Sequence, residues 1–209
     1  ALGYRPLGIR KRVVERQIAA AFPKLSAPEV VKLSRESYEH LGRSSIETAL
    51  LGSLGRDGLL TLVETVEGWE LIANVMARGK GAVMVTGHIG NWELAGAYVA
   101  ARGVPLDAIA RRMANPLFDT WLNHTREEMG MTIVHDSEAV RRTPRSLRAG
   151  RAVAFVADQG VLGLASTFVP FFGRPAKTPR GAAVFALRFD VPVLFVVARS
   201  VQHGRTAGL

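Results

Sequence analysis

Ala82-Val83-Met84-Val85-Thr86-Gly87-His88-Ile89-Gly90-Asn91-Trp92-Glu93 is the stretch that decides the fold. Its apolar start fits a short buried strand, and Gly87 and Gly90 let the chain turn tightly into a helix over Trp92 to Ala101. The same alternation continues downstream. Leu106 to Ala110 reads as a strand, Pro116 to Met129 as a helix opened by proline, and Met131 to His135 as a strand. Glu138 to Ala149 reads as a helix and Ala152 to Ala157 as a strand. A long Gly/Pro-bearing loop is expected from Asp158 to Pro179, then a helix at Ala182 to Phe189 and a buried strand at Val191 to Ala198. Strand and helix in this order predict an α/β fold, a mostly parallel central sheet flanked by helices.

Upstream the pattern is helical. Ile9 to Phe22 carries apolar residues at helical spacing behind Arg10, Lys11, Arg12 and Arg16, and Pro23 ends it. Ser26 and Glu29 fit a capping box, with Pro28 in the first turn of a helix expected to reach about Leu54 with a break near Gly42. Gly68 to Ala77 makes a third helix. The expected organisation is one domain over 1–209, with a helical layer at 1–75 and an α/β core at 76–209. A sheet finishing at Val191 to Ala198 would end on a bare edge. The start, Ala1-Leu2-Gly3-Tyr4, has neither Met nor the apolar run of a signal peptide. No stretch of ~18 apolar residues offers a transmembrane helix. The chain therefore reads as a fragment cut at both ends.

Composition narrows the chemistry. Of 209 residues 48% are hydrophobic and 22% charged, as in a globular protein. Lys+Arg 27 against Asp+Glu 18 leaves +9, which suits an anionic partner, or reflects a genome that favours Arg. With Cys 0, disulfides, thiolate catalysis and Cys-ligated metal sites are excluded. His40, His124, His135 and His203 have no partner at ligand spacing, so no metal site is expected. The phosphate-binding patterns GxxxxGK[ST] and GxGxxG are absent, as are an RNP-like run and a recognition-helix signature, so no nucleic-acid partner is expected.

Chemistry concentrates at Thr86 to Glu93, the carboxyl end of a strand, where open α/β sheets place their ligands. His88 suits a general base near neutral pH. Glu93 stands five positions on, which in a regular helix is about 500° of rotation, some 140° off the same face. The two meet only if the chain turns tightly at Gly90. Glu93 would then fix the imidazole tautomer as the carboxylate does in a serine-protease triad. Free N–H groups of the helix that starts near Asn91 would face an anion or oxyanion. The plainer reading makes His88 a capping or core histidine and Glu93 a first-turn acid favoured by the helix dipole. The residues alone leave these readings level.

Further blocks follow in order. They are Arg111-Arg112-Met113-Ala114-Asn115-Pro116, then Val156-Ala157-Asp158-Gln159, then Val169-Pro170-Phe171-Phe172-Gly173-Arg174-Pro175-Ala176 with Thr178. Together with Gly87-His88-Ile89-Gly90-Asn91-Trp92-Glu93 they resemble the late acyltransferases of bacterial lipid A biosynthesis, of Kdo2–lipid A lauroyl/myristoyl transferase type. Those belong to the glycerolipid acyltransferase superfamily. Leu2-Gly3-Tyr4, Arg16-Gln17-Ile18 and Phe22-Pro23 match the region after that family's membrane anchor, so the resemblance covers essentially the whole chain. It departs in lacking the anchor helix and the C-terminal part.

The resemblance implies a membrane-associated acyltransferase at the cytoplasmic face of the inner membrane. It would take an acyl group from an acyl-carrier-protein thioester to a hydroxyl of a lipid A precursor. Acyl-CoA as donor and another glycolipid such as phosphatidylinositol mannoside as acceptor stay open, as does a basic lipid- or nucleic-acid-binding domain without catalysis. Its partners would be the acyl thioester, an anionic glycolipid and the membrane surface, with no cofactor beyond the thioester co-substrate. The implied mechanism has His88 deprotonating the acceptor and Glu93 orienting it. Arg111, for which Arg112 is an alternative, or helix-start amides stabilise the oxyanion. With no Cys and no GxSxG elbow, no covalent acyl-enzyme is expected.

Gly90, Asn91, Asn115 and Asp158 join as oxyanion or substrate-binding candidates, with Asp158 able to pair with Arg111. Trp92, Phe171 and Phe172 are candidates to line an acyl slot. Each has a plain reading too: Asn115 as a helix N-cap, Asp158 as a turn residue, the aromatics as packing. Lys177 and Arg180 read as surface charges.

Overall fold

The computed structural model describes residues 4, 7–160 and 165–199. They fall into two compact units, Ala1–Ala49 with Phe168–Ala176, and Leu50–Thr167 with Lys177–Leu209. No helix among the described residues is long and apolar enough to cross a membrane.

In the first unit, helix α1 (Lys11–Ala21) is followed by α2 (Ala27–Leu62), which runs on into the second unit. The expected box forms at the start of α2. Ser26 donates both its N–H and its hydroxyl to Glu29 Oε2, at 2.7 and 2.6 Å. These bonds hold the Glu29 carboxyl below its usual range. Gly42 does not break α2. An isolated glycine costs a helix only ~1 kcal/mol, and the interruption comes at Gly55, whose φ of 64° and ψ of −179° leave the helical region.

The second unit alternates as the sequence predicts: α3 (Trp69–Ala77), β1 (Ala82–Thr86), α4 (Trp92–Ala101), β2 (Leu106–Ala110), α5 (Pro116–Glu128) and β3 (Met131–His135). A 3₁₀ turn at Asp136–Glu138 leads to α6 (Ala139–Arg148) and β4 (Ala152–Val156). The segment expected to be a loop folds instead as a hairpin, β5 (Ser166–Phe171) and β6 (Arg174–Pro179), a separate two-stranded sheet. Phe172 and Gly173 turn it with φ of 49° and 71°, the two positive values of a I′-type connection. Its prolines read as loop signals, yet a two-stranded ribbon consists only of edges, where proline is tolerated. After α7 (Gly181–Phe189), β7 covers only Val193–Phe195. The expected buried strand is an exposed edge strand, with Val193 and Phe195 largely in solvent.

The main sheet is parallel throughout, in the order β3-β2-β4-β1-β7. Alternate residues serve its two faces. Met84 packs on one side with Ala97, Val99 and Ala100 of α4. Val83 and Val153 pack on the other with Leu147 of α6 and Ala186 of α7. The helices that follow the neighbouring strands β1 and β4 thus leave to opposite faces. The carboxyl ends of β1 and β4 are thus where helices depart to opposite faces, the usual ligand position in an open parallel sheet.

Candidate active site

Strands β1 and β4 are in register from Ala82↔Ala152 to Thr86↔Val156, and the N–H of Ala157 donates to the Thr86 carbonyl at 3.0 Å. Continuing that register by two residues sets His88 beside Asp158. The Asp158 carboxylate takes the His88 backbone N–H on Oδ2 at 2.7 Å and ring Nδ1 on Oδ1 at 2.8 Å. An ionised carboxylate only accepts, so Nδ1 carries the hydrogen and, in the neutral ring, Nε2 keeps its lone pair. Side-chain exposures of 36% and 32% leave the pair open to a substrate. Gly87 permits this approach, since a Cβ there would stand 3.2 Å from the Asp158 carboxyl.

Gly90 has φ of 59°, and a Cβ on it would lie 1.8 Å from the Ala198 carbonyl oxygen. That same carbonyl accepts the Asn91 N–H at 2.9 Å. Gly90→Ala should therefore cost on the order of 3 kcal/mol in backbone strain and displacement. The expected outcome is a Tm lower by about 10 °C in calorimetry, and an unchanged Tm would show that the turn accommodates a side chain. Asn91 is buried and caps α4, its Oδ1 accepting the Leu94 N–H at 3.0 Å. Two helix-start amides, those of Asn91 and Leu94, are thus engaged within the protein.

Glu93 does not hydrogen-bond to His88. Standing in the first turn of α4, it points to α5, where Arg126 grips it from two sides, Nε to Oε2 at 2.8 Å and Nη2 to Oε1 at 2.6 Å. Oε1 also accepts the Trp92 indole N–H at 3.0 Å. The pair is largely buried, at 12% and 15% side-chain exposure. The indole in turn meets the His88 ring edge-on, with centroids 4.7 Å apart. The carboxylate on His88 is therefore Asp158, and Glu93 connects to the histidine through Trp92. Sequence reading missed Arg126, which carries no local signal: it sits 33 positions from Glu93 on a different helix.

Asp158 forms no ion pair with Arg111 either; its two oxygens bond to the His88 ring and backbone N–H. Arg111 and Arg112 are exposed after β2, next to β4 in the sheet, and form no ion pair among the described residues. His88, Asp158 and Arg111 accordingly leave the carboxyl ends of three neighbouring strands. Asn115 caps α5, accepting the N–H groups of Leu117 and Phe118 at 3.0 and 3.2 Å. Phe171 and Phe172 belong to the first unit, where they are exposed and meet edge-on, and Phe172 meets Phe22 at 5.0 Å.

No group of three metal-ligating side chains occurs among the described residues. A cleft of about 490 Å³ lined by Asp107, Thr132, Arg142, Arg145 and Arg151 opens at the opposite, amino-terminal ends of the strands and holds none of these groups. Chemistry rather than cavity size marks the site.

Residues 5–206 match the family described as bacterial lipid A biosynthesis acyltransferase. A phosphatidylinositol mannoside acyltransferase of Mycobacterium tuberculosis (strain ATCC 25618 / H37Rv) is 27% identical over 164 residues, 76% of this chain and 51% of that protein. A lipid A biosynthesis palmitoleoyltransferase of Escherichia coli (strain K12) is 26% identical over 163 residues, covering 78% and 52%. The chain spans about half the length of the curated relatives it matches.

Proposed function

The chain belongs to the bacterial lipid A biosynthesis acyltransferase family, and from that membership we propose that it moves a fatty acyl group from an acyl thioester to a hydroxyl of a membrane glycolipid. The observation that carries the reading is the His88–Asp158 pair at the carboxyl ends of adjacent strands. His88 Nε2 takes the acceptor's hydroxyl proton as its oxygen attacks the thioester carbonyl. The tetrahedral oxyanion lies toward the Arg111 guanidinium, which pairs with no carboxylate among the described residues. Collapse breaks the carbon–sulfur bond, and the departing thiolate recovers the proton from the imidazolium. Asp158 keeps Nδ1 protonated throughout, so the proton of each cycle is taken up and given back at Nε2. In this proposal transfer runs directly from thioester to hydroxyl, the chain offering neither a cysteine nor a GxSxG elbow for an acyl-enzyme.

Within this reading the donor is an acyl-carrier-protein thioester and the acceptor a lipid A precursor, met at the cytoplasmic face of the inner membrane. The net charge of +9 suits an acidic carrier and a phosphorylated lipid. The mycobacterial relative's name favours a phosphatidylinositol mannoside as acceptor, and in this second version the donor is acyl-CoA. The test uses full-length protein, each donor with a radiolabelled acyl chain, and each acceptor. Label in the lipid A precursor from the carrier-protein thioester is expected. Label only in the mannoside selects the second version, and no labelled lipid with any pair refutes the reading.

A further inference from the structure

We propose that the arginine-lined cleft beside α6 binds a phosphate monoester, at a site separate from the His88 rim. The cleft runs along α6 beside the amino-terminal parts of β2 and β3, with a volume of about 490 Å³, the size of a small-molecule site. Four guanidinium groups meet in it, those of Arg141, Arg142 and Arg145 from α6 and that of Arg151 from the lead-in to β4. The carboxylates that oppose them, Asp107 and Glu138, are both engaged. Asp107, second in β2 and 2% exposed, accepts Nε of Arg151 at 2.7 Å, its Nη2, and the Ser146 hydroxyl. Glu138 is shared between Arg141 at 3.1 Å and Arg142 at 3.8 Å. Arg145 forms no ion pair or side-chain hydrogen bond among the described residues.

This arrangement differs from a solvated basic face. A buried carboxylate is costly unless it is paired, and here Asp107 holds one edge of a guanidinium still. Arg151 Nη2 also donates to Thr132 Oγ1 at 3.0 Å, so the group is oriented before any ligand arrives. A planar fork held this way matches the oxygens of a phosphate. On α6, Arg145 stands four positions from Arg141 and three from Arg142, spacings at which like charges repel. A dianion among them relieves that repulsion and balances the two positive charges that Asp107 and Glu138 leave over. A single carboxylate would balance only half. The lining holds no aromatic ring, and its apolar member is Ala149. It therefore offers no stacking platform for a nucleobase and no slot for an acyl chain. A compact polar ester fits, either a soluble sugar phosphate or the headgroup of an anionic lipid. Arg151 and Asp158 flank the two ends of β4, roughly 20 Å of extended chain apart, so a ligand here does not touch the reacting atoms.

The test is calorimetric titration of full-length protein in detergent with inorganic phosphate, glucose 6-phosphate and dihexanoyl phosphatidic acid, with dihexanoyl phosphatidylcholine as control. Inorganic phosphate is expected to bind with Kd below about 1 mM, equally in wild type and in Arg111→Ala. Arg145→Gln should weaken it by about tenfold, and Arg142→Gln with Arg145→Gln by about a hundredfold, the scale of lost charge-assisted hydrogen bonds. Arg151 stays in place, because its removal would strand the buried Asp107. Arg145 is exposed and Arg142 half-buried, so Tm should hold within about 2 °C. The single variant decides the matter should the double one unfold. Tighter binding of glucose 6-phosphate identifies a soluble ester as the source, and tighter binding of dihexanoyl phosphatidic acid a lipid headgroup. Wild-type affinity in the glutamine variants, loss of binding in Arg111→Ala, or no heat with any of the three anions overturns the proposal. None of these readouts involves acyl transfer, so the result stands apart from the proposed reaction.

Discussion

His88→Ala is expected to lower kcat for acyl transfer by about 10³-fold, within the range that a positioned general base supplies. The loss should fall on catalysis rather than on folding. The imidazole is about one-third exposed, and its polar contact in the fold is with Asp158, itself exposed to a similar degree. Alanine therefore removes the lone pair at Nε2 without opening a cavity in either apolar cluster. A Tm within about 2 °C of wild type should accompany the kinetic loss, since surface substitutions of this kind change stability by about 0.5 kcal/mol. Added imidazole should restore part of the rate, because the space left beside Trp92 and Asp158 fits the missing ring. Wild-type turnover in the alanine protein would move the base elsewhere.

Asp158→Asn should be as damaging although it changes one atom. An amide placed as the carboxylate is can still accept the His88 backbone N–H, so the turn keeps its shape. Its NH₂ group, however, then faces Nδ1 and donates to it, and the ring hydrogen moves to Nε2. A histidine in that tautomer has no lone pair for the acceptor's proton. A loss on the order of 10⁴-fold in kcat is the scale reported by the same carboxylate-to-amide change in a Ser-His-Asp triad. Steady-state kinetics with KM measured alongside checks it: KM should hold and kcat fall. Activity within about tenfold of wild type would mean that tautomer control by Asp158 is not part of the reaction.

Much of this site is readable in one stretch of sequence, because the physics there is local. A run of four apolar residues closed by Thr86, two glycines and a capping Asn dictate a strand, a tight turn and a helix start, and Gly90 and Asn91 occupy the last two roles. The pairing of side chains is not local. Helical spacing sets Glu93 some 140° off the face of His88, so their pairing depends on a tight turn at Gly90; the carboxylate that reaches the ring lies 70 positions on and arrives through strand register. Arg126 was invisible for the same reason, since only the packing of α5 against α4 brings it to Glu93. The hairpin at Ser166–Phe171 and Arg174–Pro179 escaped because Pro170, Pro175 and Gly173 are loop residues by propensity. Phe172 at positive φ is a choice that local preference argues against. Gly55 rather than Gly42 interrupts α2, a distinction that glycine content alone does not make.

In the proposed reaction a histidine held by Asp158 at the end of β1 delivers the acceptor hydroxyl straight to the thioester. The most direct measurement is a single-turnover reaction of full-length protein with a radiolabelled acyl-carrier-protein thioester and a lipid A precursor, sampled for labelled lipid and labelled protein, with His88→Ala in parallel. Labelled lipid from wild type, no covalent label on either protein at any time, and a rate for His88→Ala lower by about 10³-fold are expected. Equal labelling of lipid by both proteins, or an acyl group carried on the wild-type chain before it reaches the lipid, would contradict that reaction.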